Sequence, residues 1–243
     1  MTRPARNRSP RNCSTSWAAQ QRWRHRLARF AAVIFDMDGV LVDGEPLHFR
    51  AVNTLLAEEG KAMTLDEYRP YMGTKSGWRE MMQPLGLTRD ISYYSQRYDE
   101  IVLAEYRECS VPLPGAVALV RALGAAGLPI GVCSSSRLSW VEACLSRLGL
   151  LDAFDSIVTG SEVERGKPAP DIYLLAAERL GAEPRDCLAI EDAPAGIESA
   201  QNAGMTVWAV WTEYTRGLTL PDPDRTVDSL EDIAIEAVLG VAA

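Results

Sequence analysis

Four short segments of this sequence hold residue types that can do chemistry, and most of them directly follow an apolar run. They are Asp36-Met37-Asp38-Gly39, Cys133-Ser134-Ser135-Ser136-Arg137, Gly166-Lys167-Pro168 and Ile190-Glu191-Asp192-Ala193. Two carboxylates two residues apart, beside a glycine that permits a tight turn, can coordinate a hard divalent cation. They can equally divide the work of nucleophile and proton donor. A calcium loop of the EF-hand type is excluded, because Val40, Leu41 and Leu47 stand where that loop needs an oxygen ligand, a glycine and a bidentate acid. Ser134, Ser135 and Ser136 lead into a helical pattern, where hydroxyls and free amides make a phosphate cradle, although serine is also a common helix cap. The nucleophile elbow G-x-S-x-G is absent.

Lys167 invites an ATP-loop reading that the spacing denies. Five residues separate Gly160 from Gly166 where that loop has four, and Pro168 replaces the hydroxyl that would hold magnesium. The lysine stands out all the same, since only 3 of the 25 basic residues are Lys. A compact ammonium suits a buried contact with carboxylate and phosphate better than a planar guanidinium does. Glu191 and Asp192, two adjacent acids after a buried run, are costly unless exposed, hydrogen-bonded or bound to metal.

These segments need elements that bring them together. Ala31–Phe35, Ile130–Cys133, Ser156–Thr159, Cys187–Ile190 and Val207–Val210 read as buried parallel strands, with amphipathic stretches Ser139–Leu148, Ala169–Leu180 and Pro194–Ala203 between the last four. Strand alternating with helix predicts an α/β fold, a doubly wound (Rossmann-like) parallel sheet. In the usual strand order the fourth strand lies beside the first. Asp36, Asp38 and Asp192 then converge beyond the carboxyl ends, a hard-oxygen set suited to Mg²⁺. About 95 residues separate the first two strands, far beyond an ordinary crossover, and they are rich in helix formers. We therefore expect an inserted all-helical cap domain after the first strand at residues 45–112, an α/β core at 30–44 and 113–243, and a tail at 1–29.

Composition narrows the function classes. The 243 residues have a formal net charge of -8, but residues 1–29 hold eight Arg and no acid, which leaves 17 basic against 33 acidic side chains in the remainder. So acidic a body repels phosphate backbones, so no nucleic-acid partner is expected. No apolar run approaches the roughly 20 residues of a membrane span, so no membrane partner is expected either. Five scattered cysteines without C-x-x-C, and two histidines without a ligand spacing, disfavour a disulfide scaffold and a zinc site. The expected location is cytoplasmic, or an organelle if residues 1–29 are a transit peptide. Oligomeric state is not legible, and a monomer is compatible with the sequence.

Taken together, the four segments resemble the haloacid dehalogenase superfamily of phosphotransferases, in the branch that includes β-phosphoglucomutase and small sugar-phosphate phosphatases. The resemblance covers about residues 31–220: Asp36-x-Asp38-Gly39 with Asp43, Ser134, Gly166-Lys167-Pro168-x-Pro170-Asp171 and Glu191-Asp192-x-x-x-Gly196. It implies that Asp36 is a nucleophile forming an aspartyl-phosphate, and that Asp38 protonates the leaving oxygen and then activates water. Ser134, Ser135 and Lys167 would hold the phosphoryl group. Mg²⁺ would be bound by Asp36, the Asp38 carbonyl and Asp192, with Glu191 assisting. The implied partner is a small phosphorylated metabolite, chosen by the cap. His48 matches a histidine of the sugar-phosphate branch and Glu45 lies near it, while Lys75, Arg79 or Arg137 could meet a second phosphate. Two departures weaken a mutase reading, which stays the alternative to a phosphatase: Ser76 stands in place of an arginine, and Gly44 in place of a hydroxyl residue.

Overall fold

The computed structural model describes residues 28–71, 81–82 and 85–241. Six strands form one sheet: β1 (Ala32–Phe35), β2 (Ile130–Ser134), β3 (Ser156–Thr159), β4 (Cys187–Glu191), β5 (Thr206–Val210) and β6 (Arg225–Val227). All neighbours are parallel, in the order β3-β2-β1-β4-β5-β6. Side chains alternate across a strand, so each buries both faces. Val33 and Phe35 pack with Ile130, Leu188 and Trp208 on one side, while Ala32 and Ile34 pack with Cys133, Ala189 and Val207 on the other.

The sequence places five of these strands to within a residue at either end. It omits β6, whose Arg225-Thr226-Val227 is too short for a periodic signal and pairs only at the sheet edge.

The insertion after β1 holds, among its described residues, the helices α1 (Glu45–Ala57), α2 (Leu65–Tyr68) and α3 (Ile91–Cys109). Pro46 suits the first turn of α1, where its missing N–H costs nothing. Thr64 and Glu67 satisfy each other's backbone donors at the start of α2. Val42 pairs antiparallel with Pro112, so the two feet of this insertion stand side by side on the sheet.

After it come α4 (Ala116–Ala125), α5 (Leu138–Leu148), α6 (Asp171–Leu180), α7 (Pro194–Asn202) and the short α8 (Ile235–Leu239). Among the described residues no helix is long and apolar enough to cross a membrane. Of the expected tail, residues 1–27 lie outside the described residues, as do Lys75, Ser76 and Arg79.

Candidate active site

β1 and β4 are hydrogen-bonded neighbours, and both end at the same edge of the sheet. Asp36 follows the last residue of β1, Glu191 ends β4 and Asp192 follows it, so Asp36 meets two acids that lie 155 and 156 residues further along the chain. Their carboxylate oxygens lie within 4.8 Å of one another, and all three residues are buried. Lys167, from the loop before α6, answers them: its Nζ donates to Asp36 Oδ1 at 2.5 Å, Glu191 Oε1 at 2.6 Å and the Cys133 carbonyl at 3.2 Å. Tyr173 donates from the other side to Glu191 Oε1 at 2.6 Å.

This electrostatic arrangement is unbalanced. Three carboxyl groups face one ammonium, so with all three ionised two negative charges would lack a counter-charge. Burial above all pushes Asp36 up to about 8 against the pull of Lys167, with Glu191 raising it further. Burial, then Glu191 and Asp36, hold Asp192 well above the carboxylate range. Burial alone would lower Lys167, but Asp36 and Glu191 beside it hold it above its ordinary value, so the ammonium stays charged.

Hard oxygen donors with a charge deficit of two are what a divalent cation such as Mg²⁺ requires, and the residues fit it. The turn after β1 leaves room at the same place. Gly39 has φ +87°, and a Cβ there would overlap the Asp192 carboxylate, so a side chain at 39 would close the gap between the two strand ends.

Proton competition gives the site a signature. An acid with a raised folded-state pKa holds its proton more tightly in the folded protein, so the metal-free protein loses stability as pH climbs from about 4 toward 8. A bound cation must displace that proton. Apparent Mg²⁺ affinity should therefore rise with pH through about 8. The rise should be roughly tenfold per pH unit for each proton displaced. Calorimetric or thermal-shift titrations from pH 6 to 9 would read this, and an affinity that is flat or falls over that range would contradict it.

The remaining candidate residues separate into two groups. Asp36, Asp38, Glu45, His48, Ser134, Ser135, Lys167, Glu191 and Asp192 line one cleft of about 440 Å³. Ser134 is buried at the end of β2 and accepts from the Ser136 amide at 3.0 Å. Arg137, by contrast, pairs with Asp99 on α3 at 2.7 Å and is not among the residues lining the cleft.

Ser136, the third hydroxyl of the serine run, donates to Asp38 Oδ2 at 3.0 Å. Other contributors have no signal in the local sequence pattern: Tyr106 donates to Asp38 Oδ1 at 2.5 Å, and Tyr98, Tyr68 and Trp140 line the cleft. Tyr98, Val102 and Tyr106 lie four apart on one stripe of α3, which reads as an apolar face packing on its neighbours.

Buried acids and an ammonium stand at the carboxyl edge of a Rossmann-like parallel sheet, beside a helical insertion. Residues 30–204 match the haloacid dehalogenase-like hydrolases, and the chain belongs to that family. It is an enzyme, a phosphatase-type hydrolase of that superfamily. The phosphorylated carbohydrates phosphatase of Thermotoga maritima is 34% identical over 176 residues, 72% of this chain and 82% of that protein. Protein SUPPRESSOR OF QUENCHING 1, chloroplastic, of Arabidopsis thaliana is 37% identical over 221 residues, 87% of this chain; the chain spans only 21% of that longer protein. Among solved structures, CbbY from Rhodobacter sphaeroides in complex with phosphate superposes with a TM-score of 0.77 at 29% identity, over 87% of this chain and 100% of CbbY.

Proposed function

We propose that this chain is a Mg²⁺-dependent phosphohydrolase of a small phosphorylated metabolite, a sugar phosphate, acting through an aspartyl-phosphate on Asp36. The observation that carries the proposal is the contact between Lys167 and Asp36, with Glu191 and Asp192 beside them in one cleft. Lys167 occupies Oδ1 of Asp36, which leaves the other oxygen to attack phosphorus. As that bond forms, the bond from phosphorus to the ester oxygen breaks, and Asp38 gives its proton to the departing alkoxide. Asp38 then takes a proton from water, the water oxygen attacks phosphorus, and the acyl-phosphate bond breaks to return Asp36 and free phosphate. Lys167 and Ser134, with the Ser135 amide region, face the equatorial oxygens, where charge spreads in the transition state.

Mg²⁺ held by Asp36, Asp192 and the Asp38 carbonyl would supply charge against those same oxygens. Glu191 is already engaged by Lys167 and Tyr173, which suits it to anchoring the ammonium as well as to supporting the metal.

In this reading residues 45–112 are the cap, residues 30–44 and 113–243 the core, and Glu45 and His48 contact substrate from the cap side. The sugar class is supported by the aromatic wall of Tyr68, Tyr98 and Trp140 and by the Thermotoga relative's name. The proposed location is cytoplasmic. An organelle is the alternative, and it gains support from the word chloroplastic in the Arabidopsis relative's name.

The test is phosphate release from a panel of sugar and other metabolite monophosphates, with and without Mg²⁺. Release from one class, dependent on the cation, is expected. Conversion of β-glucose 1-phosphate to glucose 6-phosphate without free phosphate, given a trace of the 1,6-bisphosphate, would replace the hydrolase with a mutase.

A further inference from the structure

We propose that the Tyr106 hydroxyl, reaching down from the helical insertion, is the positioning group for the Asp38 carboxylate, and that Gly44 is the space that admits it. The inference rests on the reading of Asp38 as proton donor and base. Each Asp38 oxygen takes one hydrogen bond, and the two come from different parts of the fold: Tyr106 on α3 at 2.5 Å and Ser136 after β2 at 3.0 Å. Two bonds from two directions fix the plane of a carboxylate that one bond would leave free to turn.

The phenol is the donor in its contact with Asp38. With its proton committed, the Tyr106 oxygen has lone pairs left for His48 Nε2, 3.0 Å away. That leaves His48 Nδ1 as acceptor toward the Tyr98 hydroxyl at 2.7 Å. His48 is buried, which holds its pKa below the usual value and keeps the ring neutral, as this tautomer requires. The result is a chain of hydrogen bonds running one way, from Tyr98 through His48 and Tyr106 to Asp38. Trp140 on α5 holds it in place, lying near-parallel to the Tyr106 ring at 6.3 Å and edge-on to His48 at 5.8 Å.

Gly44 supplies the second, independent observation. Its backbone is ordinary, with φ -79° and ψ -29°, so no left-handed turn demands a glycine there. Space does: a Cβ built at 44 would overlap Asp38 Oδ1 and stand 3.2 Å from the Tyr106 hydroxyl. A side chain at 44 and the bond from Tyr106 to Asp38 exclude each other.

The experiment compares two substrates. An alkyl sugar phosphate needs a proton for its leaving oxygen, whereas p-nitrophenolate departs without one. Tyr106→Phe keeps the ring and removes the hydroxyl. For the alkyl ester, kcat should fall about tenfold or more with KM within about twofold. With p-nitrophenyl phosphate, the pre-steady-state burst should keep its rate within about twofold while steady turnover slows, because water activation still needs Asp38 in place.

Gly44→Ala should reproduce this signature, and the double variant should lose no more than either single one, as expected for two changes acting on a single contact. A kcat that holds or rises, a burst that slows as much as alkyl turnover, or additive losses in the double variant would each overturn the inference. Asp38→Asn separates the levels: if it abolishes alkyl turnover while Tyr106→Phe does nothing, the latch fails and the hydrolase reading stands. If Asp38→Asn is itself active, the reading beneath it fails as well.

Discussion

Asp36→Asn will abolish steady phosphate release, lowering kcat by at least about ten-thousandfold, and it will do so without lowering the melting temperature of the metal-free protein at pH 8. The two halves of this result come from one environment. Asn cannot form the acyl-phosphate bond, and its amide nitrogen cannot take the place of the oxygen that attacks phosphorus. Asparagine also carries no charge where the fold disfavours one: burial outweighs Lys167 and pushes Asp36 up to about 8, so the neutral side chain is at least as well accommodated as the carboxylate. Loss of turnover together with loss of stability would mean that Asp36 is mainly a structural partner of Lys167. Undiminished turnover would move the protein toward a binding role, or show that the measured phosphatase came from elsewhere.

How much of this was legible in the sequence depended on the range of the interaction. The strands could be read because Val33, Phe35 and Trp208 fill one face of a parallel sheet and Ile34, Ala189 and Val207 the other, and a buried run shows in a local window. The chemistry at strand ends followed from the strands, since Asp36 and Asp192 sit just past β1 and β4. Lys167 was legible for a different reason, its rarity in a chain whose other cations are nearly all Arg.

What no local pattern held was which aromatic residues turn inward. Tyr106 lies 68 residues from Asp38 and occupies a helical stripe that would look the same had it met only Leu and Val. Arg137 shows the converse: it stands at a serine-rich strand end as a candidate for a second phosphate, and no local window shows that the fold sets Asp99 of α3 beside it at 2.7 Å. The lesson of Gly44 is similar, because a substitution that weakens a family pattern in sequence becomes a steric requirement once Asp38 and Tyr106 are seen beside it.

The largest stability effect should come from Lys167→Met, which keeps the length of the side chain and removes its charge. Lys167 is the only cation hydrogen-bonded to Asp36 and Glu191 among the described residues, and its side chain is 8% exposed. Breaking one side of a buried ion network usually costs about 3 to 5 kcal/mol, because the partners keep their desolvation without compensation. A cost should appear in a denaturant midpoint at pH 8. The part that falls on Asp36 should grow as pH climbs above about 8, because losing Lys167 raises Asp36 further above that value, and a protonated carboxyl needs no counter-ion.

Among the described residues no other cation is hydrogen-bonded to Asp36 or Glu191, so in this variant a divalent cation would supply the missing positive charge. Mg²⁺ should therefore raise the melting temperature of Lys167→Met by more than it raises that of the native protein. Activity should not recover with it, since the cation cannot also stand where the ammonium meets the phosphoryl oxygens. A variant that melts like the native protein at pH 8, or gains no more from Mg²⁺, would show that the acids are satisfied by water and that the charge deficit inferred for this cleft does not exist.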